Sequence, residues 1–590
     1  MTYTFRMFSI LFAAFLVSFS GFSQTIDPVL ADQWKTHEKA PVMILMQEQA
    51  DLSQAKLLRG KLAKTSYVFE RLNAVADRSQ ARVRAYLKGE GIDFTPFWAV
   101  NMISADLTRK QADDLSSFAE IASFLPVLPI EQIDTEIRQP LQSRTPQAVP
   151  WGIDMVRAPE VWLQGITGKG VVIGGQDTGT KWDTKAIKEQ YRGNLTDTVV
   201  HDYNWYDAIH EIDTVNHNDS IVMPSNNPCG LNSKVPCDDN GHGTLTLGTA
   251  IGLDEEADEQ IGMAPGAEWI SCRCMERGYG TPVTYTECFQ FFLAPTDVNG
   301  DNPRPEMAPD VINNSWACPP MEGCHPGNFQ VMEIVVNNLR AAGIVVVVSA
   351  GNTGPGCGSV STPAAIFSSS FAVGATASND TIWRGSSRGP VLVDGSGRLK
   401  PDITAPGVRI RTCWPDDSYR DATGTSLAGP HVAGLVALIL EARPELAGEV
   451  DVIEEIIKMT AEAKPAEVLC GNDMLDSIPN NTYGYGRIDA FRAVEYAKIV
   501  GSAINGQDRS LEMAIFPNPF VNEFRIWRKD FYEAGQLWLT DPLGRTMKYT
   551  VPPGEEFFTI IAGQDMPSGH YYYRIIQDGK TGSGKLVRID

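Results

Sequence analysis

Ala422-Thr423-Gly424-Thr425-Ser426-Leu427-Ala428-Gly429-Pro430-His431-Val432-Ala433-Gly434 leads directly into an apolar run, Leu435 to Leu440. The run reads as a buried helix, and the stretch before it as the loop that enters that helix. A serine at such an entry has its hydroxyl at a helix N-terminus. Unpaired backbone N–H groups and the helix dipole there favour developing negative charge. Small residues on both sides let a second backbone or a substrate come close. Pro430 reads as a first-turn proline, whose missing N–H costs little. Ser426 is thus placed as a nucleophile, and a serine becomes an effective one only with a base beside it.

The chain around this helix alternates apolar strands with helical patterns. Val171 to Gly175, Val311 to Asn313 and Ile344 to Val348 read as strands, and Val331 to Ala342 as a helix between them. Continuous apolar strands interleaved with helices imply an α/β fold, a mostly parallel sheet with helices on both faces, over residues 151–500. In such folds the site lies just past the carboxyl ends of the strands. Residues 24–133 suit a small α+β unit. Its strands are Pro41 to Leu45, Phe97 to Ile103 and Ile121 to Leu128; its helices lie in Leu57 to Leu87 and Leu107 to Phe118. Residues 134–150 hold Pro140, Pro146 and Pro150 without periodicity and read as a linker. Residues 511–590 show short strands, such as Glu523 to Trp527, Gln536 to Thr540 and Tyr571 to Ile576, separated by Gly/Pro turns, the pattern of a small all-β sandwich.

Length, at 590 residues, allows several domains. A net charge of −22 argues against nucleic acid and anionic membrane surfaces as partners. Residues 1–23 read as a signal peptide: Arg6, the apolar stretch Met7 to Phe19, then Gly21-Phe22-Ser23. No other run is apolar for long enough to suggest a stable membrane span. All ten cysteines fall between Cys229 and Cys470. An even number in an exported chain suggests disulfides, with Cys229–Cys237 and Cys318–Cys324 as local loops. A zinc site at Cys272-Arg273-Cys274 is the weaker alternative, because no second close pair accompanies it.

Three polar residues stand among glycines beside apolar runs: Asp177 in Gln176-Asp177-Thr178-Gly179, His242 in Asn240-Gly241-His242-Gly243-Thr244, and Ser426. A buried Asp holds a His in one tautomer, and the His takes and returns the serine proton. Asn352, directly after the strand ending in Ser349-Ala350-Gly351, is placed to share an oxyanion hole with the Ser426 N–H. Removing one such donor costs about 10²–10³ in turnover.

The order Asp, His, Ser is that of subtilisin rather than of the other hydrolase folds. With Asn313-Asn314-Ser315-Trp316, Lys400 to Gly407 and Gly424 to His431, these motifs resemble the subtilisin-like (subtilase) serine proteases, of the bacillopeptidase F type. The resemblance implies a secreted serine endopeptidase acting on protein or peptide substrates through Asp177, His242 and Ser426, with Asn352 steadying the oxyanion. It places Ser315, Trp316, Ala317, Ala350, Gly351 and Ser361 along the substrate cleft, and a cis-proline at Pro363. It implies no cofactor for the chemistry; structural calcium is a family habit that no residue here claims. Two departures stand out. Leu245 occupies the place of a second His, and Leu427 that of a Met. The 180–240 segment, with His201, His210 and His217, is long for the family and reads as a solvated insertion, with calcium binding or cleft shaping as the other readings.

Ile103 to Thr108 with Phe124 to Val127 resembles the inhibitor propeptide of subtilases, a partner within the same chain that is cut off in the 134–150 linker. Residues Phe516 to Phe520, Leu539 to Gly544, Pro567 to Tyr571 and Gly584 to Val587 resemble a type A sorting domain of type IX secretion, implying passage across the outer membrane. The other reading of that domain is a carbohydrate- or protein-binding β-sandwich. An aspartic protease would need a second Asp-Thr-Gly or Asp-Ser-Gly, and a lipase the Gly-x-Ser-x-Gly elbow; neither occurs in the required place. His431, five residues from Ser426, points away from it on a helix and reads as packing. The remaining rival is a catalytically inactive subtilase-fold binding module, whose mark would be a missing triad residue.

Overall fold

The computed structural model describes residues 25–127, 149–212, 228–318, 324–466, 468–500, 513–516, 520–528, 534–541, 545–554, 557–563, 566–577 and 580–588. The expected signal peptide, most of the 134–150 linker, His217 and Pro517-Asn518-Pro519 of the C-terminal motif lie outside them.

The first unit comprises β1 (Thr25–Ile26), α1 (Pro28–Thr36), β2 (Lys39–Met46), α2 (Lys61–Gly89), β3 (Phe94–Phe97), β4 (Met102–Thr108), α3 (Arg109–Leu115) and β5 (Ile121–Pro126). Its strands form one sheet in the order β1-β5-β2-β4-β3. The expected strand over Phe97 to Ile103 is instead a hairpin, with Phe97 opposite Met102. The reason lies outside the unit. At the tip, the N–H groups of Trp98 and Ala99 both donate to Gln290 Oε1, at 2.9 and 3.1 Å. Those apolar residues face a neighbour, not a longer strand.

The central unit begins with α4 (Trp151–Met155) and α5 (Ala158–Trp162), then β6 (Val172–Asp177), α6 (Lys185–Lys188), β7 (Asn194–Leu195), β8 (Thr198–Val199) and β9 (Trp205–Asp207). It continues with α7 (His242–Ile251), β10 (Glu268–Arg273), β11 (Met275–Glu276), β12 (Tyr279–Gly280), α8 (Pro282–Leu293), β13 (Val311–Asn314), α9 (Phe329–Ala341), β14 (Val345–Ser349) and β15 (Phe371–Thr376). β16 (Ile403–Pro406), the hairpin β17 (Ile410–Cys413) and β18 (Tyr419–Ala422), then α10 (Thr425–Ala442), α11 (Val450–Thr460) and α12 (Ala490–Val500) complete it. Seven strands pair in parallel in the order β16-β15-β14-β13-β6-β10-β9.

Both faces of this sheet are covered because successive strand residues point to opposite sides. Val345 and Val347 of β14 join the core with α7, α10, α11 and α12. Val346 and Val348 join the other, with α8, α9 and the first unit's Met43, Leu45, Phe97 and Val100. Two lysines of α2 reinforce that contact. Lys61 Nζ meets Asp310 Oδ1 at 2.6 Å, and Lys64 Nζ donates to the Gly448 carbonyl at 2.6 Å.

The described part of the 180–240 segment departs from the expectation of a solvated insertion. Ile187, Tyr191 and Trp205 are buried, and β9 is an edge strand of the main sheet. Arg273, wholly buried, ties Asp207 (3.1 Å), the Gly230 carbonyl (3.0 Å) and Asp239 together. A buried guanidinium demands such partners. Disulfides join Cys229–Cys237, Cys272–Cys288, Cys318–Cys324 and Cys357–Cys470, while Cys274 and Cys413 remain buried thiols.

The last described segments form β19 (Met513–Phe516), β20 (Glu523–Arg528), β21 (Gly535–Thr540), β22 (Thr546–Val551), β23 (Phe557–Ile561), β24 (Gly569–Gln577) and β25 (Lys580–Arg588). They make two antiparallel sheets, β19-β20-β23 and β22-β21-β24-β25, which share an apolar core including Phe524, Ile526, Leu537, Leu539 and Ile575.

α10 is the central helix. It is long and apolar enough to cross a membrane, yet it is enclosed by the sheet and by α7 and α12. Its far end is held by Glu441, whose Oε2 accepts the N–H groups of Thr167 (2.6 Å), Gly168 and Lys169 (2.9 Å). Glu441→Ala strips three donors of their acceptor. The expected result is a melting temperature lower by roughly 2–5 °C in differential scanning fluorimetry.

Candidate active site

β6 ends at Asp177, which is 2% exposed, and its carboxyl end faces the edge where α7 and α10 begin. The N-terminus of α7 starts at His242. His242 Nδ1 lies 2.7 Å from Asp177 Oδ1, which also accepts the Thr178 N–H at 2.8 Å. With Nδ1 donating to the carboxylate, Nε2 is left with a lone pair to take a proton. Two glycines permit this approach. A Cβ on Gly179 would sit 1.9 Å from the Cys237 carbonyl oxygen, and one on Gly243 would sit 1.9 Å from that of Gly179. Burial works against a charged His242, but the Asp177 carboxylate outweighs it, with help from Asp238. The imidazole pKa is held above its ordinary value.

Asp238 is a feature that sequence reasoning missed. Its Oδ1 accepts the Thr178 hydroxyl (2.9 Å) and the N–H groups of Asn240 (3.1 Å) and Gly241 (2.6 Å). Its Oδ2 accepts the N–H (2.9 Å) and hydroxyl (2.7 Å) of Thr244. The Thr178 Oγ in turn accepts the Gly243 N–H at 3.0 Å. Burial pushes the Asp238 carboxyl pKa up, while these donors pull it back. Every partner donates, which suits the ionised form. One carboxylate thereby fastens the Asp177 strand end to the His242 helix start. An acid four residues before His242 was the available signal.

Ser426 is 4% exposed in the first turn of α10. A Cβ on Gly424 would lie 2.9 Å from Ser426 Oγ, 3.3 Å from Asn352 Nδ2 and 3.6 Å from the Ser426 nitrogen. The space beside Gly424 is therefore bounded by a hydroxyl, a side-chain amide and a backbone N–H. Asn352 is aimed there because its Oδ1 is occupied by the N–H (2.9 Å) and hydroxyl (2.8 Å) of Thr425. Thr425 is the second residue that sequence reasoning missed.

Pro430 lies inside α10, not in its first turn. A proline there removes the N–H that the Ser426 carbonyl would accept. The Ser315 hydroxyl takes that place, donating to the Ser426 carbonyl at 2.9 Å. Ser315 thus braces the nucleophile's own backbone, a tighter role than cleft lining.

The other expected cleft residues gather at the same edge. Ser315, Trp316 and Ala317 follow β13; Ala350 and Gly351 follow β14, its neighbour. Trp316 stacks on Tyr285 with ring centroids 4.0 Å apart. The Cys318 N–H donates to the Pro363 carbonyl at 3.1 Å, bringing the stretch that holds Ser361 alongside. The cis bond near it is Pro363–Ala364, not the one preceding Pro363. His431 donates from Nδ1 to the Leu427 carbonyl at 2.7 Å, and burial lowers its pKa to about 4; it is packing. His201 and His210 lie elsewhere, on Tyr191 and on Glu287 with Asn232. Among the described residues, no three His, Cys, Asp or Glu side chains converge as a metal site.

A family model described as the subtilase family, Peptidase S8, matches residues 168–486, which hold the whole of this geometry. This chain belongs to the subtilase family. Among curated relatives of this subtilase, bacillopeptidase F of Bacillus subtilis (strain 168) is 33% identical over 570 residues, 89% of this chain but 36% of that protein. The chain thus spans little more than a third of that relative's length. Subtilisin Savinase of Lederbergia lenta is 28% identical over 56% of this chain and 98% of its own. Serine protease AprX of Bacillus subtilis (strain 168) is 32% identical over 44% of this chain and 59% of its own. The family is one of serine endopeptidases, and the parallel seven-stranded sheet belongs to it.

Two outcomes test the geometry. Asp238→Asn removes a negative charge near His242. The acid limb of fluorophosphonate labelling should move to lower pH by roughly half a unit. Gly424→Ala should fold normally, since its φ of 164° is ordinary extended backbone. The new methyl would fill the space beside Ser426 Oγ, and peptidase turnover should fall by about 10² or more.

Proposed function

We propose that this subtilase is a secreted serine endopeptidase working through Asp177, His242 and Ser426, made as a zymogen. The observation that carries the reading is the space beside Gly424, faced at once by the Ser426 hydroxyl, the Ser426 N–H and the Asn352 amide. A scissile carbonyl placed there meets its nucleophile and both oxyanion donors. His242 Nε2 takes the Ser426 proton as Oγ attacks. Asp177 steadies the imidazolium. The Ser426 N–H and Asn352 Nδ2 hold the oxyanion. His242 then protonates the leaving amine, and water repeats the sequence on the acyl-enzyme. No step calls on a cofactor. Ser315, Trp316, Ala317, Ala350, Gly351 and Ser361 bound the cleft for protein or peptide substrates.

The domain reading follows the same lines. Residues 1–23 are a signal peptide, 24–133 an inhibitor propeptide, 134–150 the linker that is cut, 151–500 the peptidase and 511–590 a type IX secretion sorting domain. The propeptide reading is supported by how tightly the first unit sits on α8 and α9, with Lys61, Lys64 and the Gln290 grip on Trp98 and Ala99. The sorting reading is supported by the two small antiparallel sheets and by the motifs at Phe516 to Phe520 and Gly584 to Val587. The protein is expected outside the cell after passage across the outer membrane.

Secreted protein should cleave casein and take up a fluorophosphonate label. Ser426→Ala should lose both and retain the uncut propeptide; normal digestion by that variant would refute the assignment. Asn352→Ala should keep the label but lower turnover by about 10²–10³. Equal turnover would remove Asn352 from the oxyanion hole.

A further inference from the structure

The chain from Pro150 to Trp162 runs behind the catalytic residues, away from the cleft. Leu245, in the first turn of α7, and Leu427, directly after Ser426, share an apolar cluster with Ile410 and Ala422. Trp151 and Trp414 pack against that cluster. These are the two positions where the family commonly has a His and a Met, so here the contact is entirely apolar. Gly152 is buried tightly. A Cβ on it would sit 3.1 Å from His431 Nε2, Ile410 Cδ1 and Pro406 Cβ. The Trp151 indole N–H donates to the Arg409 carbonyl at 3.2 Å. The Trp151-Gly152 pair is thus wedged between the β17–β18 hairpin and α10.

The rest of the segment is fastened at a distance. The Arg487 guanidinium donates to the Met155 carbonyl at 3.1 Å, and the Ala490 N–H to that of Val156 at 2.8 Å. The Trp162 indole donates to the Met263 carbonyl at 3.1 Å. Loss of the Trp151 ring would therefore open space near the start of this segment, under the first turns of α7 and α10. Those turns hold His242 and Ser426. The substrate walls lie on the strand ends after β13 and β14, which Ser315 and Asn352 tie to α10 from the side opposite Trp151. Misplacing catalytic groups by about 1 Å costs up to about 10²-fold in rate without altering ground-state binding.

We propose that Trp151 is a positioning residue for His242 and Ser426, and that the mature enzyme must keep its chain from Trp151 onward. The inference rests on the zymogen reading above, and it sets a limit on maturation: the activating cut falls at Pro150 or upstream. Trimming past Trp151 would switch the protease off.

The test uses full-length protein carried through secretion and maturation, as wild type, Trp151→Ala and Trp151→Phe. Active sites are counted by fluorophosphonate titration, and kcat and KM are measured per titrated site on a peptide substrate. Trp151→Ala should lower kcat by about tenfold or more with KM within about twofold, and Trp151→Phe should recover most of the rate. A lower melting temperature with unchanged kcat would reduce Trp151 to a purely structural role and overturn the proposal. Should Trp151→Ala fail to mature, the N-terminus of active wild-type enzyme decides. A first residue at Trp151 or upstream supports the proposal, and Gly152 or later overturns it. Wild-type protein that takes no label at Ser426 would defeat the protease reading and this inference together. A labelled wild type with an unimpaired Trp151→Ala defeats the inference alone.

Discussion

Two backbones lying closer than side chains allow is the condition on which this site rests. Gly243 lies against the Gly179 carbonyl, and Gly179 against that of Cys237. A Cβ on Gly243 would push the start of α7 away from the end of β6, and one on Gly179 would push away Cys237, the neighbour of Asp238. The 2.7 Å contact between His242 and Asp177 would then open. Asp238 holds the approach closed by accepting from Thr178 on one side and from Gly241 and Thr244 on the other. The charge-assisted bond and the raised basicity of His242 are consequences of that backbone packing.

α10 concentrates the remaining requirements in one element. Its first turn presents Ser426. Its proline frees a carbonyl that Ser315 recovers, so a neighbouring strand end is fixed to the nucleophile by the same defect. Its last turn places Glu441 under the loop that leads into β6. A helix this apolar has no stable position except the middle of a sheet face, with α7 and α12 beside it. The orientation of the serine is set by burial along the whole helix.

Much of this was readable from residues alone. Val345 to Val348 announce a strand buried on both faces. The glycines around Asp177, His242 and Ser426 announce close backbone approach. What stayed illegible depends on contacts between distant segments. Phe97 to Ile103 looks like one strand because the capture of Trp98 and Ala99 by Gln290 leaves no local trace. Pro430 looks harmless until the helix is seen to begin at Thr425. The polar 180–240 segment looks solvated because its anchor, Arg273, lies in another strand. Thr425 and Asp238 sit inside recognisable motifs, but their work lies in hydrogen bonds that only the folded geometry reveals.

The Cys357–Cys470 disulfide closes a span of 113 residues, and that span contains Ser426. It also contains an exposed turn, Leu392 to Gly397, rich in the small and polar residues that proteases cut. A protease among copies of itself is exposed to its own activity. A single nick anywhere between these cysteines leaves both pieces covalently joined. In such an enzyme, autolysis of that turn yields a nicked molecule still in one piece rather than two fragments free to drift apart.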